Sequence, residues 1–211
     1  MQCPRITTPR LTLRPWCQAD LAPFAALNAD PRVMEFFPAG LSAAESDALA
    51  ARIVEHFATR GFGLWAVEVI GGPPFIGFVG LSVPRYETPF TPCVEVGWRL
   101  AAPHWGRGYA SEGARGALAY GFGHLDLAEI VSFTAEANVR SRRVMERLGM
   151  RRDPADDFDH PLLAAAHPLS CHVLYRLPRS AWEKRNRAAV AALITVDKVE
   201  APPLQLPGDH A

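Results

Sequence analysis

The stretch that decides the fold reads Val94-Glu95-Val96-Gly97-Trp98-Arg99-Leu100 and resumes as His104-Trp105-Gly106-Arg107-Gly108-Tyr109-Ala110-Ser111-Glu112. Its first part alternates between an apolar face and a face of glutamate, glycine and arginine, which predicts a strand. Gly106 and Gly108 can adopt positive φ, so successive backbone N–H groups can converge on an anion at the positive end of the helix that follows. The stretch therefore predicts a strand, a glycine loop and a helix that together bind a phosphate or pyrophosphate.

The helix after the glycine loop is predicted to run from about residue 108 to residue 122. Its inward positions are small, with Ala110, Ala114, Ala117 and Gly121 at helical spacing. Small side chains let a helix approach a sheet closely. We therefore expect this helix to pack tightly on the sheet and to steady the loop.

Composition bounds the class of protein. The chain has 211 residues, of which 49% are hydrophobic and 21% charged, enough for one sizeable core followed by a tail. Its formal net charge is zero, which argues against nucleic acid as the main partner. The late apolar run 188–196 is too short to span a bilayer, and residues 1–5 contain no apolar signal core. We expect a soluble, cytoplasmic protein with no membrane partner.

The remaining elements follow from periodicity and capping signals. Capping residues predict helices from Asp20 to Asn28, from Ser42 to Arg60 and from Asn138 to Leu148, and an amphipathic helix begins near Ser180. Strands are predicted at 10–14, 64–70, 75–83, 129–134 and 172–177, with the second and third forming a hairpin. We place one domain at 1–183 and a C-terminal helix with a Pro-rich tail at 184–211. The tail could fray, fold back or contribute a dimer contact, and the chain is expected to be a monomer or homodimer.

This order of elements resembles the GNAT superfamily of N-acetyltransferases over roughly residues 8 to 183. Three motifs look like those of its RimJ/RimL branch, which is named for the acetylation of ribosomal proteins. They are Trp105-Gly106-Arg107-Gly108-Tyr109-Ala110, Asn138-Val139-Arg140-Ser141 and Arg147-Leu148-Gly149-Met150. The resemblance implies an α/β (α+β) fold, the GNAT acyl-CoA N-acyltransferase fold. Its mixed, mostly antiparallel sheet would be flanked by helices and splayed between the fourth and fifth strands.

The resemblance also implies how acetyl-CoA is bound. Backbone N–H groups around Arg107, Gly108 and Ala110 would hold the pyrophosphate, with the Arg107 side chain nearby. Pantetheine would lie in the wedge between strands 94–100 and 129–134 and use unpaired backbone groups. The cofactor-binding residues implied are Val96, Trp98, Arg107, Gly108, Tyr109, Ala110, Asn138 and Ser141. The glycine-loop motif of the family usually begins with Gln or Arg where this chain has Trp105, so no phosphate contact is expected from the Trp105 side chain.

Two residues are candidates for catalysis. Glu95 is our candidate base, acting through a water, because strand alternation places it opposite the valines and beside Gly97. Its alternative role is a surface carboxylate paired with Arg99 on the same strand face. The RimJ/RimL pattern implies that Ser141 protonates or hydrogen-bonds the leaving thiolate. Alternatively, Asn138 and Ser141 only satisfy free N–H groups at the start of their helix.

The loop before the last predicted strand holds the other polar clusters. His160, His167 and His172 lack metal-site spacing, so we predict no metal and expect solvated or locally bonded histidines. The chain's cysteines, Cys3, Cys17, Cys93 and Cys171, form no CxxC pair and are expected to be reduced. Asp153, Asp156, Asp157 and Asp159 are either a solvated loop or the border of a site for a cationic acceptor. Phe36, Phe37 and Pro38 could line the acceptor pocket or belong to the core.

The leading functional hypothesis is transfer of the acetyl group of acetyl-CoA to a primary amine, on a protein N-terminus or a small molecule. One alternative is a non-catalytic acyl-CoA-binding module. Another is a dinucleotide-binding oxidoreductase, which fits poorly because Ser111 occupies the third glycine position of that fingerprint.

Overall fold

The computed structural model describes residues 2–186 and 194–205. Most of the late apolar run 188–196 and the end of the Pro-rich tail lie outside the described residues. The α-helices are α1 (Leu21–Ala29), α2 (Ala43–Arg60), α3 (Tyr109–Gly123), α4 (Val139–Leu148) and α5 (Arg179–Asn186). The strands are β1 (Gln2–Thr7), β2 (Leu11–Arg14), β3 (Leu64–Val69), β4 (Gly77–Ser82), β5 (Glu95–Leu100), β6 (Glu129–Ala135), β7 (Arg151–Arg152), β8 (Phe158–Asp159), β9 (Cys171–Pro178) and β10 (Thr195–Glu200).

The strands form one mixed sheet in the order β10-β1-β2-β3-β4-β5-β6-β9-β7, with β8 paired to β9. Neighbouring strands are antiparallel except β5 and β6, which are parallel. β5 is registered against β4 from Glu95 to Leu100, but against β6 only at the pair Glu95 and Val131. The predicted mixed, mostly antiparallel sheet with a splay at this place is confirmed.

The edge of the sheet differs from the sequence prediction. We predicted the first strand at 10–14, but β1 precedes it and pairs with β10 along its whole length, from Gln2 opposite Glu200 to Thr7 opposite Thr195. The later part of the tail therefore folds back onto the sheet. Pro4 interrupts the strand signal of β1, and its partner strand lies at the other end of the chain, so local periodicity could not reveal the pairing.

The helix ends follow the capping signals in most places. Ser42 and Glu45 form the predicted capping box of α2, and Gly61 ends that helix with φ of 76°. Asp20 differs, because its carboxylate accepts from Arg14 at 2.7 and 2.8 Å and from the Cys17 N–H instead of capping α1. Among the described residues, no helix is long and apolar enough to cross a membrane.

α3 lies against the sheet on its small residues, as predicted. Ala114 and Ala117 are 0% exposed. A Cβ added at Gly113 would lie 3.2 Å from Val79, and one added at Gly121 would lie 2.7 Å from Ile130. The helix axis is therefore close to β4 and β6, which fixes the position of the glycine loop at its N-terminus.

Gly80 in β4 makes a second close contact, with the start of β3, and this contact can be tested. A Cβ there would overlap the carbonyl oxygen of Gly63 and lie 2.7 Å from Cα of Leu64, both backbone atoms that cannot rotate away. We expect Gly80→Ala to lower the free energy of unfolding by about 3 kcal/mol. Gly123→Ala is the control, since a Cβ there meets nothing within 4 Å. Urea denaturation should show a loss only for Gly80→Ala, and equal midpoints for the two variants would contradict the packing.

Candidate active site

A cavity of about 760 Å³ opens where β5 and β6 diverge. Its volume lies within the range of small-molecule sites, roughly 300–1,000 Å³. Its walls come from β5, β6, the glycine loop, the first turns of α4 and the segment between α1 and α2. Predicted site residues on the wall are Glu95, Trp98, Gly108, Tyr109, Ala110, Asn138 and Ser141, together with Phe36, Phe37 and Pro38.

The splay leaves strand edges free to bind an extended ligand. The N–H of Val131 donates to the carbonyl of Val94 at 2.9 Å, and beyond the Glu95–Val131 pair no further register forms between β5 and β6. One edge of β5 from Val96 onward is thus without a strand partner. Val96 itself is 0% exposed in the core, so only its backbone can reach a ligand, whereas Trp98 lines the cavity.

The glycine loop presents the N-terminus of α3. Gly106 and Gly108 have φ of 74° and 81°, the left-handed region that favours glycine. Gly108 is the N-cap of α3, and no side chain caps the helix. The first-turn N–H groups are therefore available to an anion, and the positive end of the helix dipole favours one.

An ion-pair network that the sequence did not reveal holds this loop in place. Glu112, in the first turn of α3, accepts from the Arg10 backbone N–H at 2.8 Å, from Arg10 Nε at 2.6 Å and from the Thr8 hydroxyl at 2.8 Å. Arg10 Nη1 in turn donates to the carbonyl of Arg107 at 3.0 Å. The Arg107 residue is exposed, so its own guanidinium is free to approach a ligand phosphate.

Trp105 takes a structural role beside the loop. Its indole N–H donates to the carbonyl of Leu100 at 2.7 Å, which ties the loop to the end of β5. The guanidinium of Arg140 lies 4.7 Å from the centre of the indole ring. The indole N–H is therefore already used within the protein.

Asn138 and Ser141 lie at the start of α4 and line the cavity. The side-chain oxygen of Asn138 accepts from the Ser141 backbone N–H at 3.1 Å, and its amide nitrogen donates to the Thr134 hydroxyl at 3.0 Å. Asn138 thus caps the helix, as the capping signal predicted. Ser141 uses its backbone for that cap, so its hydroxyl is left for a ligand in the cavity.

Glu95 is half-buried at the narrow end of the splay, opposite Ser82 of β4. Burial raises the pKa of this carboxyl to about 8, and a hydrogen bond from Ser82 opposes the rise only in part. Its charge in turn contributes to the raised pKa of the neighbouring Tyr86 hydroxyl, after burial. Arg99, the alternative ion-pair partner considered from the sequence, instead donates to Asn28 at 2.6 Å.

The acidic run of the loop does not line the cavity. Asp156 accepts from Arg176 at 2.7 Å, Asp157 pairs with Arg152, Asp159 accepts from the Ser170 hydroxyl at 3.0 Å, and Asp153 accepts from the Ala155 N–H at 3.0 Å. These carboxylates are neutralised or bonded locally. Asp153 and Asp159 are exposed and accept only from neutral groups, so the run keeps some negative charge, but that charge does not border the cavity.

The histidines of the same segment are placed differently from one another. His160 and His172 line the cavity with ring centres 4.8 Å apart, and His172 is buried rather than solvated. Its Nδ1 bonds locally to the carbonyl of Ser170 at 3.1 Å. Within residues 2–186 and 194–205, no group of three or more His, Cys, Asp or Glu side chains is arranged to hold a metal ion.

Comparisons with known proteins agree with this architecture. The family model described as an acetyltransferase (GNAT) domain matches residues 10–151. The chain is 35% identical over 154 residues to the FsC-acetyl coenzyme A-N(2)-transacetylase of Aspergillus fumigatus, a match covering 70% of this chain and 65% of that protein. It is 31% identical over 152 residues to the uncharacterized N-acetyltransferase YnaD of Bacillus subtilis, covering 70% of this chain and 83% of that one. The crystal structure of an acetyltransferase from Agrobacterium tumefaciens superposes with a TM-score of 0.67 at 28% identity, covering 84% of this chain and 95% of the other.

The environment of Glu95 predicts a pH-dependent stability difference. Since burial raises its pKa from 4.5 to about 8, the folded protein binds this proton more tightly than the unfolded chain does. The wild type should therefore lose stability relative to Glu95→Gln as the pH rises from about 4.5 through about 8. Urea midpoints at several pH values between acid and alkaline conditions measure this. Glu87→Gln, at an exposed position, is the control; a Glu95→Gln difference that did not change with pH would refute the prediction.

Proposed function

This chain belongs to the GNAT acetyltransferase family, and we propose that it transfers the acetyl group of acetyl-CoA to a primary amine by direct attack in a ternary complex. The observation that carries the proposal is the meeting, in one cavity, of an uncapped helix N-terminus, a free strand edge and a half-buried carboxylate. The first two suit the phosphates and the amide groups of coenzyme A. The third suits removal of a proton from the acceptor.

Several residues would hold acetyl-CoA. The backbone N–H groups of Gly108, Tyr109 and Ala110 would bind the pyrophosphate, with the exposed Arg107 side chain beside it. The free edge of β5, at Val96 and Trp98, would pair with the pantetheine amides as a further strand would. The Aspergillus relative is named an acetyl coenzyme A transacetylase, which supports this choice of donor.

The reaction needs one proton to leave the amine and one to reach sulfur. The amine nitrogen forms a bond to the thioester carbonyl carbon, the carbon–sulfur bond breaks, and the products are an acetamide and the coenzyme A thiol. Glu95 would accept the proton of the amine, directly or through a water. Its pKa of about 8 is close to the value of about 8 of an ordinary α-amine, so a proton passes between the two with little free-energy change.

Ser141 would protonate the leaving thiolate or donate a hydrogen bond to its sulfur. Its backbone is fixed by the Asn138 cap, so the hydroxyl is held at a defined place on the cavity wall. Asn138 would serve this geometry as the cap and as a neighbour of pantetheine.

The acceptor is proposed at two levels. A primary amine is what the family chemistry and the position of Glu95 support. The RimJ/RimL-type motifs that begin at Trp105, Asn138 and Arg147 favour protein N-termini as one class of acceptor. Small-molecule amines are the other class. The two classes are distinguished by measuring the release of coenzyme A thiol in the presence of each kind of amine.

A first test is donor binding. Calorimetric titration of the full chain should show saturable one-to-one binding of acetyl-CoA and no heat from NAD, because the loop suits coenzyme A and lacks the third glycine of the dinucleotide fingerprint. Binding followed by amine-dependent release of free thiol would support the transferase. Binding of acetyl-CoA without thiol release in the presence of any amine or peptide would favour a non-catalytic acyl-CoA-binding module. If the folded protein did not bind acetyl-CoA, the proposal would be wrong.

A second test separates chemistry from binding. Glu95→Gln and Ser141→Ala should each lower kcat by roughly 10²- to 10⁴-fold, the usual effect of losing a general acid or base, while the Kd of acetyl-CoA stays within about twofold. In the wild type kcat should rise with pH through about 8 as Glu95 ionises, and Glu95→Gln should lack that rise. Glu87→Gln, at an exposed position that does not line the cavity, is the control. Wild-type kcat and pH profile in Glu95→Gln would remove Glu95 from the mechanism.

A further inference from the structure

The cavity wall includes a charged side chain, Arg99, to which the proposed reaction assigns no role. It stands on the same face of β5 as Glu95, four residues further along the strand, and it lines the cavity. Its guanidinium carbon lies 4.1 Å from the ring centre of Phe37 and 5.5 Å from that of Phe78. An arginine enclosed by aromatic rings loses most of its water, and such a group normally has a carboxylate partner.

Within the described residues, Arg99 has no such partner. Nη1 donates to the side-chain oxygen of Asn28 at 2.6 Å, which is neutral, and the buried Nε has no hydrogen-bond partner at all. Burial alone lowers the pKa of Arg99 to about 10, with no opposing carboxylate. The guanidinium is therefore still charged at neutral pH, desolvated, and left with unused donors.

The hydrogen bond to Asn28 holds the guanidinium of Arg99 in place before any ligand binds. Asn28 is 0% exposed, its amide donates to the Ser46 hydroxyl at 2.9 Å, and its carbonyl accepts from the Leu41 N–H at 2.9 Å. Asn28, in α1, is thus bonded to α2 and to the segment that precedes it, and in turn holds Arg99. A preorganised guanidinium binds a carboxylate with little further loss of entropy.

The space between Glu95 and Arg99 is open. A Cβ added at Gly97, the residue between them on this face, would meet only a carboxyl oxygen of Glu95, 3.8 Å away. Four strand rises separate the α-carbons of Glu95 and Arg99 by about 13 Å. A molecule with its amine at Glu95 can therefore extend over Gly97 toward Arg99.

We propose that Arg99, held by Asn28 and Phe37, is a subsite for an anionic group of the acceptor, so that the acceptor is a primary amine that also carries a carboxylate several bonds from the amine. This inference rests on the proposed function, because it assigns the amine end to Glu95. The planar fork of Arg99 can donate two parallel hydrogen bonds to one carboxylate.

The charges around the cavity support an anionic acceptor over a cationic one. Among the described residues, Glu95 is the one carboxylate that lines the cavity. Four arginines line the same cavity: Arg99, Arg140, Arg143 and Arg147. Arg140 is already paired with Glu35. A polyamine placed with one amine at Glu95 would bring its second positive charge toward Arg99, and the aspartates of the acidic run are bonded elsewhere.

The experiment compares matched amines that differ only in the anionic group. The acceptors are glycine, 4-aminobutyrate and 6-aminohexanoate, each beside its carboxamide. Two quantities are measured with the full chain: binding of each amine to protein saturated with coenzyme A, by calorimetry, and kcat/KM for acetyl transfer. We expect the longer carboxylates to exceed their amides on the order of 10- to 100-fold in both quantities, the usual range for a hydrogen-bonded charge.

Variants assign that preference to Arg99. Arg99→Gln should abolish the preference for carboxylate over amide while the Kd of coenzyme A stays unchanged, and Arg99→Lys should retain part of the preference. Arg140→Gln removes an equal charge from the cavity wall and should retain the whole preference. Thermal unfolding midpoints confirm that each variant is folded.

The outcomes separate this inference from the proposed function. Equal binding of carboxylates and amides, or a preference that survives Arg99→Gln, overturns the subsite. Carboxylate-selective binding that depends on Arg99, without any acetyl transfer, leaves the subsite standing and overturns the transferase. Peptide N-termini acetylated in preference to every carboxylate in the series would also overturn the inference.

Discussion

The structure depends on a parallel strand pair that is barely formed. β5 is bound to β4 along its whole length, but to β6 at the single pair Glu95 and Val131. A sheet that held both neighbours of β5 in full register would have no cavity, no free strand edge and no opening beside Gly97. Because β5 and β6 are not paired beyond that one position, backbone groups that ordinarily bond to a neighbouring strand remain available to an extended ligand.

A cavity of this kind needs walls that do not collapse into it. The first residues of α3, Tyr109 to Ser111, belong to the wall, and the glycines and alanines of the helix let it lie close against β4. Glu112 fixes its first turn to Thr8 and Arg10, and Arg10 reaches on to the carbonyl of Arg107. The glycine loop is thereby held open by packing on one side and by ion pairs on the other, so its N–H groups keep their direction without a side-chain cap.

Burial has opposite effects on the two charged groups that share one face of β5. It raises the pKa of Glu95 and lowers that of Arg99, so each group is less readily charged than in water. The two are too far apart along the strand to neutralise each other, and Gly97 keeps the interval between them empty. Desolvated groups with unused bonding capacity are what a substrate can satisfy, which is why this interval is the natural place for the acceptor.

The parts of the fold that depend on neighbours along the chain could be predicted from the sequence. Local stereochemistry accounts for the alternation of Val94 to Leu100, the glycines of the loop, the small face of α3 and the caps at Ser42 and Asn138. The splayed sheet and the residues that would surround acetyl-CoA came from the resemblance to the family that the sequence motifs carry. Tertiary structure alone decided what depends on residues distant in sequence. Examples are the pairing of β1 with β10, the network from Glu112 to Arg10, the ion pair of Asp156 with Arg176 and the hydrogen bond from Arg99 to Asn28. Each joins segments whose sequence patterns do not indicate that they meet. A hydrogen bond or a desolvation effect depends on distance in space, and a one-dimensional pattern records that distance only when the partners are a few residues apart.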